Sequence, residues 1–463
     1  MSDVIINNRI NKIKKMIEEL INKGFLEEAK KGISEYENVV NNDIDICSMK
    51  AVISIMEGDK AKAKDILNLG LENSPLNSDL LFNMSYLMEL NGEEKKALYY
   101  FCKAKFFNPN NSIKLEELLS RSISLDNNNL RVVQGTIEIA NQMNTITSGL
   151  KKINIDAKTL NYYPSYLRYK SDYTLNVKAF NTLNDANIET KKLASRIIVE
   201  NDVFHFHFGT SLTLDYSDLS LLKELNKKIF MQHHGSDIRM YSRAVKLSPY
   251  VKVKNTDEDE IKRNLEFLSK HIDNCIVGDY ELREYVKDYY SNINIVPISI
   301  DISKFKFNPS NISKKMIIVH APTSPEIKGS QYVLSAMEEI KLKYPFVEFK
   351  LVQGLSHDEA LKIYSEADLI IDQLLIGNYG VLAIECMAMG KPVVCHISDF
   401  MKDKYPKELP IISANPSNLK ERLDYIIKNR DILKQIGINS RKYVETYHDS
   451  VKNSSKILNI YKE

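Results

Sequence analysis

The segment EIKGSQ places a lysine, a glycine and a serine in a row, Lys328, Gly329 and Ser330, directly before a predicted helix. A lysine supplies positive charge, a glycine lets a ligand approach the backbone closely, and a serine can cap the helix. Helix N-termini bind anions because their first N–H groups have no partner within the helix. The pattern therefore predicts a phosphate site with Lys328 as its charged residue. The alternative is a solvated lysine on the protein surface.

A second segment of this kind precedes the apolar helix predicted over Val381–Met389. Asn378, Tyr379 and Gly380 come immediately before this helix, so the same logic assigns them to the anion. Glu385 lies inside the helix, where an ionised carboxylate is costly unless it accepts hydrogen bonds. Ligand hydroxyl groups, such as those of a ribose, would supply these bonds. The alternative is a structural pair between Glu385 and a lysine or a helix N-terminus.

A third candidate group lies in MQHHGSDIR, which follows an apolar strand. The neutral imidazole of His234 can accept a hydrogen bond from a hydroxyl group, and its ordinary pKa lies near working pH. The structural alternative is a hydrogen bond between His234 and Asp237. His205 and His207 alternate with phenylalanines, so both point to one face of a strand. Because no ligand spacing is defined, these histidines favour packing or substrate contacts over a metal site.

The turn predicted over Gly135–Gln142 contains one glycine instead of the GxGxxG of dinucleotide-binding proteins. Four further residues are predicted to line a ligand-binding cleft: Gly135, Thr136, His207 and Asp237. Asp-x-Asp occurs at Asp43–Asp45 and at Asp257–Asp259, but neither copy follows a buried strand. The sequence therefore predicts neither a bound metal nor a cofactor.

The composition excludes several classes of protein. Sixty-three Lys and Arg against 61 Asp and Glu leave a formal charge of +2, too balanced for a protein that binds nucleic acid over its whole surface. Five cysteines without a CxxC pair predict reduced thiols in a cytosolic protein. No apolar run reaches the roughly 18 residues of a membrane span, and the first residues lack the pattern of a signal peptide. We therefore expect a cytoplasmic location.

An internal repeat organises the first part of the chain. Gly24, Gly58 and Gly92 are spaced 34 residues apart. Further positions match at the same period: Ala29, Ala63 and Ala97, then Leu67 and Phe101, Gly70 and Ala104, and Pro75 and Pro109. The spacing resembles the tetratricopeptide repeat, a stack of helical hairpins whose motif residues are structural. It predicts about three repeats over residues 1–110, a capping helix near Ser112–Ser124, and an all-helical domain over residues 1–125 that holds a peptide or a second protein.

Beyond Asp126–Asn129, short β-branched runs alternate with helical stretches, which is typical of parallel sheets built from βα units. The predicted strands are Arg131–Gly135, Ile155–Leu160, Val203–Phe208, Lys228–His233, Asn274–Val277, Ile293–Pro297, Met316–His320, Val347–Gln353, Leu369–Asp372 and Pro392–His396. Ser299–Lys315 is interpreted as a linker. The predicted fold class is α/β, with two Rossmann-like domains over residues 126–300 and 301–440. Ligands of such sheets bind at the carboxyl ends of the strands, so we expect the site in the cleft between the domains.

Residues 377–392, GNYGVLAIECMAMGKP, and the preceding ADLIIDQLLI resemble the nucleotide-sugar site of glycosyltransferase family 4, whose members have the two-domain GT-B fold. The resemblance is strong over residues 316–400 and fair over 130–310, and it does not cover the repeats. It includes the terminal helix over residues 441–463, which in such enzymes crosses back to the first domain. It implies a metal-independent enzyme that transfers a hexose-type sugar from a nucleotide diphosphate donor to an acceptor hydroxyl, with retained anomeric configuration.

The resemblance also implies roles for single residues and partners. Lys328 would contact the diphosphate, Glu385 the ribose of the nucleotide, and His234, in HGSD, the edge of the catalytic cleft, where Gly135 and Thr136 would face the acceptor. Expected partners are a nucleotide sugar, a protein or cell-surface glycan as acceptor, and a protein at the repeats. Peripheral contact with a membrane is a further option, and nucleic acid is not expected.

Two positions depart from the family pattern. The first glutamate of the family's pair, which usually contacts the transferred sugar, is Gly377, and the arginine five residues before the lysine is Thr323. Arg239 is a candidate replacement for the missing positive charge. The alternative function is therefore a non-catalytic partner of an active glycosyltransferase, although the retention of Lys328 and Glu385 argues against it. A sugar-phosphate epimerase on the same fold would need a different acid–base set, which the sequence does not show.

Overall fold

The computed structural model describes residues 2–109, 129–164, 169–311 and 314–463. These residues form two compact units. The first contains the described residues of Met1–Leu125 together with Thr182–Asn201 and Leu212–Asn226, and the second contains those of Asp126–Asn181, Asp202–Ser211 and Lys227–Glu463. The predicted capping helix near Ser112–Ser124 and the predicted boundary at residues 125 and 126 lie outside the described residues.

Three helical hairpins form the N-terminal part of the first unit. Their helices are α1 (Ser2–Asn22), α2 (Leu26–Glu37), α3 (Ile44–Met56), α4 (Lys60–Asn73), α5 (Ser78–Leu90) and α6 (Glu94–Phe107). Gly24, Gly58 and Gly92 follow α1, α3 and α5 with φ angles of 79°, 82° and 73°, which residues with a side chain rarely adopt. Each glycine thus ends the first helix of a hairpin, as the 34-residue period predicts.

Small residues of the repeat lie where the helices pack closely. Ala29, Ala63 and Ala97 are completely buried. A Cβ atom at Gly70 would lie 2.8 Å from Cδ1 of Leu80, so a larger side chain would not fit there. These residues hold the hairpins together. The assignment of the hairpins to the tetratricopeptide family stays a prediction.

The second unit begins with a seven-stranded parallel sheet. In chain order, its strands and the helices between them are β1 (Arg131–Thr136), α7 (Gln142–Lys152), β2 (Asp156–Asn161), β3 (Tyr173–Thr174), α8 (Leu183–Glu200), β4 (Val203–His207), α9 (Ser217–Glu224), β5 (Lys228–His233), α10 (Tyr241–Leu247), α11 (Glu258–His271), β6 (Asn274–Val277), α12 (Tyr280–Val286) and β7 (Asn292–Ile295). The strand order is β3-β2-β1-β4-β5-β6-β7. The sequence places β5 and β6 correctly and the other strands within two residues, but it misses β3, which is two residues long.

Two of these helices, α8 and α9, belong to the first unit, where they contact α6. Lys105 of α6 lies 3.5 Å from Glu224 of α9. The 34-residue period gives no sign of these helices, because they lie far beyond the repeats in the sequence. The helical unit therefore includes two segments that the sequence assigns to the domain over residues 126–300.

The second unit also contains a five-stranded parallel sheet. Its elements are β8 (Met316–His320), α13 (Pro325–Lys328), α14 (Ser330–Lys343), β9 (Val347–Leu351), α15 (His357–Glu366), β10 (Leu369–Ile371), α16 (Val381–Ala388), β11 (Val393–Cys395), α17 (Asp399–Lys402), β12 (Ile412–Ser413) and α18 (Leu419–Lys428). The strand order is β12-β11-β10-β8-β9. Ile370 and Ile371 lie in different hydrophobic cores, so both faces of the sheet are covered, which explains the continuous apolar sequence of β10.

The chain ends in two helices, α19 (Leu433–Tyr447) and α20 (Ser450–Lys462), where the sequence predicts one. The helix breaks at His448, and the carboxylate of Asp449 accepts hydrogen bonds from the N–H groups of Val451 and Lys452 and so caps α20. Helix α19 contacts α16, whereas α20 contacts α7 beside the first sheet. The end of the chain therefore connects the two sheets.

All five cysteines are free thiols, and four of them are buried. Burial raises the pKa of the thiols of Cys275, Cys386 and Cys395, so these cysteines are packing residues rather than nucleophiles. Of the helices in the described ranges, none has the length and apolar character that a membrane crossing requires.

Candidate functional site

Lys328 is the last residue of α13, and its ammonium group is held by two acceptors. It donates hydrogen bonds to Oδ1 of Asp372 at 2.8 Å and to Oε1 of Gln373 at 2.8 Å. The Lys328 side chain is 15% exposed and the Asp372 side chain is completely buried. The alternative of a solvated surface lysine is therefore wrong. An ammonium group has three N–H bonds, so one remains for a ligand.

Gly329 and Ser330 connect α13 to α14. Gly329 has a φ of 78°, and a Cβ atom there would lie 3.1 Å from Cγ of Leu375, so only glycine fits without strain. The prediction that Ser330 caps α14 is wrong, because Gly329 itself occupies the cap position. The hydroxyl of Ser330 lies 2.8 Å from Nε2 of His320 instead. The serine thus fixes the start of α14 to the end of β8.

Gly380 is the N-cap of α16, and its N–H group donates to Oδ2 of Asp372 at 3.3 Å. A Cβ atom at Gly380 would lie 3.6 Å from Nζ of Lys328. The structure therefore brings Lys328 and the start of α16 together, as the sequence predicts. Both groups share the carboxylate of Asp372, so the candidate phosphate site already contains an anion of the protein itself. Sequence reasoning missed Asp372, although an acidic residue directly after a buried strand is a usable signal.

Asn378 connects the second sheet to the first. Its amide nitrogen donates to Oδ2 of Asp279 at 2.8 Å and to Oε2 of Glu281 at 3.2 Å, and its Oδ1 accepts from Gln373 at 2.9 Å. Burial, followed by the charge of Glu281, raises the pKa of Asp279 to about 6. The side chain of Asn378 is therefore engaged within the protein, and its backbone carbonyl also accepts from Gln373, so any contact with a ligand would come from its backbone N–H.

Arg239 does not supply the positive charge that the family pattern has at the position of Thr323. Its guanidinium group donates to both carboxylate oxygens of Glu281 at 2.8 Å each. A bidentate pair of this kind neutralises the arginine. The expectation that Arg239 contributes free positive charge to the site is therefore wrong.

The side chain of Tyr379 lies in the protein core. Its hydroxyl lies 3.1 Å from the hydroxyl of Tyr443 and 3.1 Å from Nε2 of His448. The side chain therefore anchors the start of α16 to the C-terminal helices. Any contact of Tyr379 with a ligand must come from its backbone.

Gly377, which stands where the family has its first glutamate, is confined by two serines. It has a φ of 94°, and a Cβ atom there would lie 2.8 Å from Cβ of Ser398 and 3.1 Å from Cβ of Ser248. Both the backbone conformation and the available space require glycine.

Glu385 lies on α16 with its side chain only 12% exposed. Its Oε1 is 3.0 Å from Nε2 of His357, the first residue of α15. This hydrogen bond raises the pKa of His357. The partner of Glu385 is therefore a histidine, neither the lysine nor the helix N-terminus of the structural alternative. Sequence reasoning missed His357, which lies 28 residues before Glu385 in the chain.

His234 follows β5 and belongs to a row of buried polar groups. Its Nε2 lies 2.9 Å from Nδ1 of His207, and Nε2 of His207 lies 2.8 Å from Oε1 of Gln134. Burial lowers the pKa of His234 to about 4, so the imidazole is neutral at pH 7. His207 is completely buried, and it supports His234 instead of lining the cleft itself.

The imidazole that bonds to Asp237 belongs to His233. Nδ1 of His233 lies 2.7 Å from Oδ2 of Asp237, and its Nε2 lies 2.9 Å from the hydroxyl of Tyr290. Asp237 also accepts hydrogen bonds from the backbone N–H groups of His234 and Gly235. The structural alternative therefore holds for the backbone of His234 but not for its imidazole, because the ring that bonds to Asp237 is that of His233. Asp237 shapes the HGSD loop from within.

Gly135 lies in β1, as the predicted strand Arg131–Gly135 has it, and Thr136 continues this strand instead of lying in the predicted turn. The hydroxyl of Thr136 donates to the carbonyl of Ser211 at 3.3 Å, and both residues are buried. In the turn itself, the carboxylate of Glu138 accepts hydrogen bonds from the N–H groups of Met143 and Asn144. Burial raises the pKa of Glu138 to about 7. Sequence reasoning missed this residue, because no motif includes it.

Several of the site residues are connected from one sheet to the other. Arg239 lies beside Gly235 of the HGSD loop, and its partner Glu281 accepts from Asn378. Gln373 then joins Asn378 to Lys328. Within the described ranges, no group of three or more His, Cys, Asp or Glu side chains is arranged to hold a metal ion. The geometry offers one ammonium N–H, helix amides, a buried carboxylate and a neutral imidazole to a ligand.

Comparison with known proteins supports the fold. No protein-family model matches the chain. An uncharacterized glycosyltransferase of Methanocaldococcus jannaschii is 22% identical over 239 residues, which are 48% of this chain and 66% of that relative. The match therefore leaves about a third of the relative's length without a counterpart.

Three solved structures share the α/β part. Sucrose-phosphate synthase of Thermosynechococcus elongatus has a TM-score of 0.53 at 14% identity, covering 72% of this chain and 98% of that one. Anabaena HepE, solved with UDP and glucose, has a TM-score of 0.52 at 12% identity over 72% and 99% of the two chains. A glycosyltransferase of Rickettsia africae has a TM-score of 0.53 at 16% identity over 72% and 98%. The chain thus has the two-sheet GT-B fold that the sequence predicts.

Proposed function

We propose that the protein is a glycosyltransferase that moves a sugar from a nucleotide diphosphate sugar to an acceptor hydroxyl. The observation that carries this proposal is the position of the Lys328 ammonium at the N-terminus of α16, the helix that also holds Glu385. A diphosphate bound at this helix end would accept hydrogen bonds from the lysine and from backbone amides. The nucleotide hydroxyls would then find an acceptor in the carboxylate of Glu385.

Sugar transfer requires stabilisation of the negative charge on the departing nucleoside diphosphate. The remaining N–H of Lys328 and the first amides of α16 are suited to this task, so we propose that transfer needs no divalent metal. The neutral imidazole of His234 would accept a hydrogen bond from a hydroxyl group at the reacting sugar. The assignment to family 4 and the retained anomeric configuration are proposed from the family resemblance alone.

The acceptor is proposed to be a protein or a cell-surface glycan. A groove of about 720 Å³ runs along α1, α3 and α5 of the helical unit and is lined by amide, charged and apolar side chains, among them Asn11, Lys15, Asp45, Phe82 and Asn83. Such a mixed lining suits a polypeptide segment, which offers both backbone hydrogen bonds and side chains. We therefore propose that these tetratricopeptide-like hairpins bind the acceptor or a protein partner.

The alternative is a non-catalytic partner of an active glycosyltransferase. It is favoured by the buried pair of Lys328 and Asp372, which leaves no net positive charge at the candidate phosphate site. Gly377 and Thr323 remove two further charged groups of the family pattern. The two functions differ in turnover but not in the expected nucleotide binding.

The decisive experiment measures binding of nucleoside diphosphates by calorimetry and hydrolysis of UDP-, GDP-, ADP- and dTDP-sugars by the full chain. Hydrolysis that Lys328→Met abolishes while the variant remains folded would support the proposed enzyme. Lys350→Met is the matched control, because Lys350 also pairs with carboxylates but lies on β9, away from the site. Binding without turnover would support the non-catalytic alternative, and the absence of nucleotide binding would overturn both.

A further inference from the structure

A chain of five hydrogen-bonded side chains runs from His205 on β4, through Tyr461 of α20, to His234 in the HGSD loop (residues 234–237). Nδ1 of His205 lies 2.6 Å from the hydroxyl of Tyr461, and this hydroxyl lies 3.4 Å from Nε2 of Gln134. Oε1 of Gln134 lies 2.8 Å from Nε2 of His207, whose Nδ1 lies 2.9 Å from Nε2 of His234. All members except His234 are completely buried.

These residues share one face of the first sheet. His205 and His207 are two residues apart on β4, and Gln134 pairs with His205 across β1 and β4. At the start of the strands, the same face is apolar and forms a core with Tyr461 of α20. The polar chain therefore lies where the apolar core gives way to the carboxyl ends of the strands, with α20 covering it.

The chain has a direction, because a neutral imidazole carries one N–H donor and one lone pair. The oxygen of Gln134 can only accept, so the Nε2 atom of His207 carries the proton and its Nδ1 atom accepts. His234 must then donate from Nε2. The amide nitrogen of Gln134 donates a hydrogen bond to the hydroxyl oxygen of Tyr461, and this hydroxyl donates a hydrogen bond to Nδ1 of His205.

The other end of the chain agrees with this direction. His205 then carries its proton on Nε2, which is buried without a hydrogen-bond partner, and Gln232 is one of the polar groups that act on this ring. Oε1 of Gln232 is a buried acceptor that also lacks a donor. In the direction derived from Gln134, Nε2 of His205 is a donor, which is the kind of group that Oε1 of Gln232 lacks.

We propose that Tyr461, Gln134 and His207 fix the neutral ring of His234 with its proton on Nε2, so that its Nδ1 lone pair is presented to a hydroxyl group of the ligand. The inference rests on the proposed function, and it specifies the group that the site selects. A hydroxyl donates to this lone pair, whereas a carboxylate or phosphate oxygen placed there would be repelled. The three residues are positioning residues, because they act through His234.

The surroundings keep the ring neutral. Burial lowers the pKa of His234 to about 4 and that of His205 to about 3. His234 is partly exposed as a residue, whereas His207 is completely buried. His234 is therefore the member of the chain that can meet a ligand.

The direct test is ¹⁵N NMR of the full chain with labelled histidine, which distinguishes protonated from unprotonated ring nitrogens. His234→Gln identifies the His234 signals by their loss. We expect an unprotonated Nδ1 and a protonated Nε2 at pH 7. A protonated Nδ1 would overturn the proposal whether or not the protein transfers sugar, so this result is independent of the proposed function.

Two variants test whether the chain imposes the tautomer. Gln134→Met keeps the side-chain volume but removes the acceptor for His207, and Tyr461→Phe removes only one hydroxyl. We expect both to produce a mixture of His234 tautomers, with kcat lowered about tenfold and donor KM unchanged. His207→Gln, which retains an acceptor for His234, should keep the wild-type tautomer, whereas His207→Leu should lose it. An unchanged tautomer in both Gln134→Met and Tyr461→Phe would show that the chain does not fix His234.

Discussion

The buried carboxylate of Asp372 lies 2.8 Å from the ammonium group of Lys328, so the candidate phosphate site contains an ion pair before any ligand binds. A buried charge without its partner is costly, because neither water nor another charge compensates it. Asp372 therefore orients the side chain of Lys328, and the buried carboxylate of Asp372 is in turn stabilised by the charge of Lys328. The pair makes the lysine part of the fold as well as part of the site.

Lys328→Met should leave Asp372 as an uncompensated buried charge. We expect the free energy of unfolding to fall by about 3–5 kcal/mol. Adding Asp372→Leu removes the charge and should restore most of the loss. Urea denaturation of the three proteins checks this expectation, and equal stability of the single variant and the wild type would contradict the pair.

Glu385→Ala should weaken the binding of nucleoside diphosphates. The ribose hydroxyls would lose a charged acceptor, which is worth about 1.5–3 kcal/mol, or roughly tenfold to hundredfold in affinity. Glu366→Ala is the control, because Glu366 is an exposed glutamate that pairs with Lys350. Calorimetry on folded variants measures both. Unchanged affinity after the Glu385 substitution would remove this residue from the site.

The pair of His357 and Glu385 should make stability depend on pH. The hydrogen bond to Glu385 raises the pKa of His357 above its ordinary value of 6.5, while burial opposes the rise. A group whose pKa is raised on folding stabilises the protein below its unfolded pKa, and this contribution is lost as the pH rises through the folded pKa.

The wild type should therefore lose stability relative to His357→Gln as the pH rises from about 6 to about 8. The difference should be small, since the ring is 34% exposed. Thermal unfolding of both proteins across this range provides the measurement, and parallel pH profiles would argue against the pair.

His234→Ala and His233→Ala should have different effects. The first should lower kcat more than donor affinity, because its contact is proposed to form at the reacting sugar. The second removes the bonds to Asp237 and Tyr290 and should cost about 1–3 kcal/mol of stability. Kinetics and urea denaturation of both variants decide the matter. A stability loss in His234→Ala with unchanged kcat would assign this residue a structural role.

Removal of residues 1–73 should abolish transfer to the natural acceptor and leave donor hydrolysis intact. This deletion takes away α1–α4 with most of the groove but keeps α5 and α6, and α6 contacts α8 and α9. Removal of residues 1–125 would also strip α8 and α9 of that contact, so we expect it to lower the melting temperature. Equal loss of hydrolysis and transfer in the shorter deletion would mean that the hairpins support the fold instead of the acceptor.

The sequence predicts elements well where local patterns decide them. β5 and β6 are correct to the residue, because apolar runs between polar turns leave little choice of boundary. β3 and β12, with two residues each, carry no periodic signal. The terminal helix is divided at His448 because Asp449 caps a new helix, and a single Asp in a helical pattern does not by itself predict a break.

The candidate site is only partly predictable, because its contacts join distant parts of the chain. Glycine and helix-cap patterns correctly bring Lys328 to the start of α16. They do not show its partner Asp372, which lies 44 residues away. The sequence also does not show that the imidazole bonded to Asp237 is that of His233 and not that of His234. Strand alternation sends neighbouring residues to opposite faces, but the sequence does not say which face holds Asp237.

The confinement of Gly377 bears on how this site can change by mutation. Gly377→Glu would recreate the family's pair of glutamates eight residues apart, yet the new Cβ atom would collide with Ser398 and Ser248 at a backbone angle that favours glycine. No single substitution therefore leads back to the two-glutamate arrangement. A designer would have to rebuild the loop and both serine positions together, so any ligand that binds beside this loop must be recognised without that carboxylate.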